Sequence, residues 1–344
     1  MFDNASKTTL ENLGEFGLIQ RLTSAYSTKN PDIIIGIGDD AAILRTNPNL
    51  LQVISTDLLV ENVNFDLMYT PLKHLGYKSV VVNISDIYAM NAKPKFITVS
   101  IAASSKYTLE ALEDLYSGIY LACEKYNIDL IGGDTTTAPK GLVISITAVG
   151  EVDADKYVTR SGCKANDLLC VTGDLGGAYM GHQLMEREKR VFLANPEMQP
   201  DLEGYDYIVG KQLRPEARKD VIELLAELKV LPTSMIDISD GLASEVKHLA
   251  LHSKVGFLIY EEKLPVDSQT LEMAKEFSLD ATMCALNGGE DYELLFTIAQ
   301  SDFEKIKNNM DITVIGHATE QVNVCQLITP SGNQFDIKAQ GWNS

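Results

Sequence analysis

The sequence predicts an α/β (α+β) protein of two domains, and three observations carry that prediction. The chain has 344 residues, about two domains by length. Short apolar runs bounded by turn residues alternate with segments of helical periodicity. A sheet-plus-helix pattern is complete near residue 155 and then restarts, which sets the expected domains at 1–155 and 156–344.

In the first half, Asp32 to Ile37 and Leu51 to Ser55 read as strands, separated by a loop containing Asn47-Pro48-Asn49. A helix is predicted from about Leu72 to Met90 and a strand from Phe96 to Ala102. Leu109, Leu112, Leu115, Ile119 and Ala122 recur at helical spacing behind Thr108, a suitable N-cap, so Thr108 to Tyr126 reads as a helix. Strands at Asp129 to Ile131 and Gly141 to Val152 close this half.

The second half opens with the strand Leu168 to Thr172, and Gly173, Gly176 and Gly177 lead into a helix. The stretch from Val191 to Leu213, with two prolines, predicts a surface insertion or irregular helix. A periodic helix from about Pro215 to Lys229, the strand Ser234 to Ile238 and the helix Leu242 to His252 follow. The remaining expected elements are the strand Gly256 to Tyr260, the helix Asp267 to Phe277, the strand Tyr292 to Ile298 and a strand near Thr313 to Ile315.

Composition narrows the function classes. Acidic residues number 48 against 29 basic ones, a formal charge of −19, with no basic run, which argues against a nucleic-acid partner. The 45% hydrophobic content is that of an ordinary globular core, so the charge is a surplus of carboxylates. The N-terminal residues lack the basic and apolar segments of a signal peptide, and the longest apolar runs, such as Val80 to Val82, are too short to span a membrane; a cytoplasmic setting is expected. Five scattered cysteines without a CxxC pair read as reduced thiols. The five histidines sit in no nucleophile motif.

The carboxylates concentrate where chemistry is usually placed. Asp39 and Asp40 stand in GIGDDAA, Asp57 in ISTDLLV, Asp86 in VNISDIYAM, Asp134 in LIGGDTT, and Asp237 and Asp240 in MIDISDG. Singly, each reads as a turn or cap residue. Together at one end of a sheet they would repel unless cations lay between them, and oxygen ligands from Asp, Ser and Thr suit Mg2+. Gly132-Gly133-Asp134 is expected to form a turn whose bare backbone approaches a phosphate. There is no P-loop and no kinase catalytic-loop signature, so if the chain handles ATP it does so through metal and backbone.

The ordered series GIGDDAAIL, STDLLVENVNF, VNISDIYAMNAKP, LIGGDTT, TRSG, VTGDLGG, MIDISDGL and NGGEDYELLF resembles the thiamine-monophosphate kinase family over nearly the whole chain. The resemblance implies the aminoimidazole ribonucleotide synthetase-like fold: an N-terminal domain that binds ATP and Mg2+ and dimerises through its sheet, and a C-terminal α/β domain that completes the cleft. It implies direct transfer of the γ-phosphoryl group of ATP to thiamine monophosphate, without a protein nucleophile, by a homodimer.

Carried over by motif, Asp40, Ser55, Thr56, Asp57, Asp86, Asp134, Asp237 and Asp240 resemble Mg2+ ligands, with Asp39 as a neighbour. Gly133, Asp134, Arg160 and Ser239 resemble nucleotide contacts; Tyr116 resembles one too, and reads equally as a half-buried helix aromatic. Glu290 resembles a substrate-binding carboxylate. Where the family usually has His before Phe, this chain has Asn64, which can hydrogen-bond but carries no proton or charge. Trp342 is the candidate for stacking on the thiamine ring, Ala339 occupying the nearest aligned slot. Another ATP-using synthetase of the same superfamily, or a silent nucleotide- or metal-binding homologue, stays open at this point.

Overall fold

The computed structural model describes residues 14–24 and 30–339. After the helix α1 (Gly14–Thr23), the first half comprises β1 (Ile33–Ile35), β2 (Ala42–Arg45), β3 (Leu50–Val60), α2 (Leu72–Ala89), β4 (Lys93–Ser104), α3 (Leu109–Tyr126), β5 (Asp129–Ala138) and β6 (Leu142–Asp153). These strands form one sheet in the order β1-β2-β3-β6-β4-β5, antiparallel except for β4 with β5. Alternation along β6 buries Leu142, Ile144, Ile146 and Ala148 in a core shared with α2 and α3, and leaves Ser145 and Thr147 on the other face. The two helices touch backbone to backbone: a Cβ on Gly76 would lie 1.9 Å from the Leu115 carbonyl oxygen, and one on Gly118 1.8 Å from that of Lys73. α2 is thereby pressed between sheet and α3, and most of its residues are buried.

The second half comprises β7 (Leu168–Thr172), α4 (Gly177–Ala194), α5 (Asp206–Leu213), α6 (Lys219–Glu227), β8 (Ser234–Asp237), α7 (Leu242–Ser253), β9 (Gly256–Tyr260), α8 (Ser268–Glu276), α9 (Ala281–Asn287), β10 (Leu294–Ile298), α10 (Phe303–Ile306), β11 (Ile312–Thr319), β12 (Cys325–Ile328) and β13 (Gln334–Asp336). Its sheet runs β13-β12-β9-β11-β7-β10-β8, with β12 and β9 parallel and the other pairs antiparallel. Leu169 and Val171 pack with α7 on one face, while Cys170 faces α6 on the other. Both sheets are mixed, consistent with the α+β side of the expected class.

The halves interlock. Ala217 is buried in the first core and Ala89 in a core of the second. Glu216 accepts hydrogen bonds from the hydroxyls of Tyr77 (3.0 Å) and Tyr126 (2.8 Å) and pairs with Lys125. This placement explains why α6 begins at Lys219 rather than at Pro215: the preceding residues deliver Glu216 and Ala217 into the other half.

Several elements differ from expectation. Gly132-Gly133-Asp134 lies within β5, not in a turn, because β5 continues its pairing with β4 as far as Ala138. A Cβ on Gly133 would stand 1.7 Å from the Val99 carbonyl oxygen, so the glycine permits close strand approach. The expected irregular stretch contains the regular helix α5, and β2, α9, β12 and β13 are additional. Among the described residues no helix is long and apolar enough to cross a membrane. Cys163, Cys170, Cys284 and Cys325 are buried free thiols, and Cys123 is a half-buried one.

Candidate active site

Three carboxylates from three separate elements converge. One oxygen from each of Asp40, Asp86 and Asp237 lies within 4.8 Å of the others. Asp40 closes the turn before β2, Asp86 stands on the last turns of α2, and Asp237 ends β8 of the other half. The strand ends and the helix place acidic side chains at the seam between the two sheets, where the backbone leaves the core.

Neighbouring polar groups orient this trio. Ser55, which alternation turns to the α2 side of β3, donates its hydroxyl to Asp86 and, at 3.3 Å, to the Asp40 carbonyl. The Ser85 hydroxyl donates to Asp237 Oδ2 at 2.6 Å. Arg160 Nη2 donates to Asp40 Oδ1 at 2.7 Å, leaving Asp40 Oδ2 buried without a hydrogen-bond partner. Asp39 accepts from the Asp40 and Arg160 backbone N–H groups, the reading expected for a supporting neighbour. Asp57 shares the α2 side of β3, and its N–H donates to the buried Asn83 Oδ1 at 3.0 Å.

The electrostatics are those of an anion cluster with too few cations. Burial, then Asp40, pushes the Asp237 carboxyl up to about 7, against the lowering effect of Ser85. Burial, followed by Asp57, Asp237 and Asp40, raises Asp86 well above the carboxylate range. Asp39 rises to about 7 through burial and Asp40, opposed by Arg160. Burial works against the charge on Arg160, but Asp40 and Asp39 outweigh it and hold the guanidinium protonated. His248 is pushed down to about 4 by burial and then by Arg160, which keeps it neutral. Buried, crowded carboxylates with an unpartnered oxygen form a donor set of hard oxygens that fits Mg2+.

The other expected residues distribute unevenly around this centre. The Thr56 hydroxyl faces away from Ser55 and Asp57, donating to the Ile146 carbonyl at 3.0 Å and accepting from Thr147. Gly133 and Asp134 are exposed on the edge strand β5, and Asp134 lies outside the Asp40, Asp86 and Asp237 group. Asp240 donates its N–H to Glu245 Oε1 at 2.9 Å, and the exposed Ser239 accepts the Glu290 N–H on its carbonyl at 2.7 Å. Tyr116 packs against the first core, edge-on to Tyr120 with centroids 6.0 Å apart.

Glu290 already has partners, accepting from Gln212 Nε2 at 2.8 Å and pairing with Lys78 Nζ at 3.2 Å. Asn64 uses its side-chain oxygen to accept the Val60 N–H at 3.0 Å, tying down the turn after β3. Trp342 lies outside the described residues.

Sequence reasoning did not single out Asn83, Ser85, Lys78, Gln212 or Glu245. A signal was present for the first two: polar residues inside the apolar run from Val80 to Met90 must be paired once buried.

The chain matches the model of the AIR synthase related protein N-terminal domain over residues 38–152 and that of the C-terminal domain over residues 164–325. It is 33% identical to the thiamine-monophosphate kinase of Bacillus subtilis (strain 168) over 96% of this chain and 99% of that protein. It is 35% identical to the thiamine-monophosphate kinase of Buchnera aphidicola subsp. Schizaphis graminum, over 96% and 98% respectively. A solved structure of AaThiL complexed with AMPPCP and TMP superposes with a TM-score of 0.84 at 29% identity, covering 98% of this chain and 99% of that one.

Proposed function

The chain belongs to the AIR synthase related family, among the thiamine-monophosphate kinases, and from that premise we propose how its own residues perform the reaction. It transfers the γ-phosphoryl group of ATP to the phosphate of thiamine monophosphate, yielding ADP and thiamine diphosphate. The observation that carries the mechanistic reading is the convergence of Asp40, Asp86 and Asp237, with the buried Asp40 Oδ2 lacking a hydrogen-bond partner.

Mg2+ held by Asp40, Asp57, Asp86, Asp237 and Asp240, with Ser55 beside them, would neutralise phosphate charge and align the two anionic substrates. The protein's own part is positioning. Arg160 stands with Asp40 as a fixed cation for nucleotide phosphate, and Ser239 lies on the same loop as Asp237 and Asp240. Gly133 and Asp134 offer a bare backbone and a carboxylate from β5. Thr56 enters this reading through its place in the STD segment rather than through its hydroxyl, and Tyr116 as a flanking aromatic. The acceptor phosphate has a second pKa of roughly 6 and is largely ionised at neutral pH, so no strong general base is needed.

Glu290 supplies the negative charge for the cationic thiamine moiety, exchanging Lys78 for substrate. Asn64 holds the adjoining turn, and Trp342 is the stacking residue. The working unit is a homodimer built on the open face of the first sheet, where Leu58 is 57% exposed beside Thr56, Ser145 and Thr147. A division near residue 155, with the first domain carrying most metal ligands and the second closing the cleft, completes the reading, together with the cytoplasmic setting expected from the sequence. Incubation with ATP, thiamine monophosphate and Mg2+ should form ADP and thiamine diphosphate together. ATP binding without either product would support a silent binder, and ADP formed only with another acceptor would favour a related synthetase.

A further inference from the structure

Asp237 reaches the carboxylate trio from the opposite half of the molecule, at the end of a four-residue strand. Its position relative to Asp40 and Asp86 therefore depends on a contact across the seam. The Ser85 hydroxyl makes that contact, donating to Asp237 Oδ2 at 2.6 Å across 152 residues of sequence. Both groups are sealed from water, Ser85 being 1% and Asp237 3% exposed. Ser85 is also the immediate chain neighbour of Asp86, so one turn of α2 presents a carboxylate of its own and fixes another.

The rigidity of α2 makes this placement meaningful. Gly76 and Gly118 bring its backbone against α3, and the helix packs on the first core along its length. A hydroxyl on such a helix is held to a single position, and a hydrogen bond to a carboxylate is stronger than one between neutral groups. By holding Oδ2, Ser85 fixes the rotation of the Asp237 carboxylate at the trio.

We propose that Ser85 is a positioning residue: its hydroxyl orients the Asp237 carboxylate as a ligand of the shared metal site. This rests on the reading of Asp40, Asp86 and Asp237 as that site. Ser85 touches neither substrate nor metal, and its effect passes through Asp237.

The test compares Mn2+ binding, followed by electron paramagnetic resonance of the free ion, in wild type, S85A, S85T, S79A and D237N. Ser79 is an equally buried serine on α2 whose hydroxyl donates to the Gly76 carbonyl, so S79A reports any general damage to the helix. S85A is expected to weaken Mn2+ binding roughly 10- to 100-fold, the usual effect of removing a group that orients a metal ligand. S85T should recover binding, and S79A should bind like wild type. With Mg2+ as activator, S85A should need proportionately more ion for half-maximal turnover, and saturating Mg2+ should restore most of kcat.

Wild-type Mn2+ affinity in S85A, or an equal loss in S79A, overturns the inference while leaving the metal site standing. Failure of wild type itself to bind Mn2+, or unchanged binding in D237N, instead removes the reading on which the inference rests.

Discussion

Replacing Asp237 with Asn should stabilise the metal-free protein while ending its turnover. The carboxyl is raised from 3.8 to about 7 by burial and by Asp40. That difference corresponds to ~4 kcal/mol carried by the folded state once Asp237 ionises. The amide still accepts from Ser85, but a neutral bond replaces a charge-assisted one, and its NH2 group needs a new partner; about 2 kcal/mol of net gain remains. For a domain of this size the gain is a rise of roughly 5 °C in Tm.

A carboxyl with a raised folded value stabilises the fold below its unfolded value of 3.8, and that advantage is lost as pH rises through about 7. The stabilising effect of D237N is therefore full above pH ~7 and fades as pH falls toward 4. Calorimetry in EDTA at pH 8, 6 and 4 measures it, and Mg2+ should reverse the order by stabilising wild type alone. A D237N protein no more stable than wild type at pH 8, or a gain of equal size at pH 4, would refute the charge-crowding argument.

Asp57→Asn should lower turnover by at least ~100-fold with an unchanged circular dichroism spectrum, because the Asn83 contact is made by the backbone and survives; near-normal activity would remove Asp57 from the ligand set. Glu290→Gln should raise KM for thiamine monophosphate about tenfold, ~1.4 kcal/mol, and leave KM for ATP nearly unchanged, since Gln keeps the acceptor for Gln212 and loses only the charge. An equal rise in both would assign Glu290 to the scaffold. Glu216→Ala removes the acceptor shared by Tyr77, Tyr126 and Lys125. Discounted for its half-exposed setting, the cost is about 1–2 kcal/mol, visible as a lower Tm.

The candidate site is legible in the sequence where its pattern is local. Asp40 and Asp237 stand beside strand termini, while Asp57 and Asp86 are single carboxylates among the apolar residues of β3 and α2, and each is recognisable from its neighbours alone. The contacts that aim those carboxylates join residues far apart in sequence, as Ser85 does to Asp237 and Arg160 to Asp40, and no local pattern reports them. Lys78 with Glu290 is hidden for the same reason, since a lysine in an apolar helix signals burial without naming its partner.

The fold followed a similar division. α3 carries a clear helical period, and the expected bounds of α2, α3 and α7 agree with the structure within a few residues. The glycines of β5 suggested a turn because bare backbone serves turns and close strand approach alike, and only the neighbouring Val99 carbonyl decides between them. β12 and β13 are short and partly exposed, so their apolar signal is weak.

Carboxylates from both halves of the molecule are proposed to organise phosphoryl transfer from ATP to a phosphate acceptor. That transfer can be followed through the γ-phosphate of labelled ATP in the presence of thiamine monophosphate and Mg2+. The label should appear in the terminal phosphate of thiamine diphosphate, one for each ADP formed, and D237N should abolish the transfer. Label released as inorganic phosphate, or thiamine diphosphate formed without label, would rule out direct transfer between the two substrates.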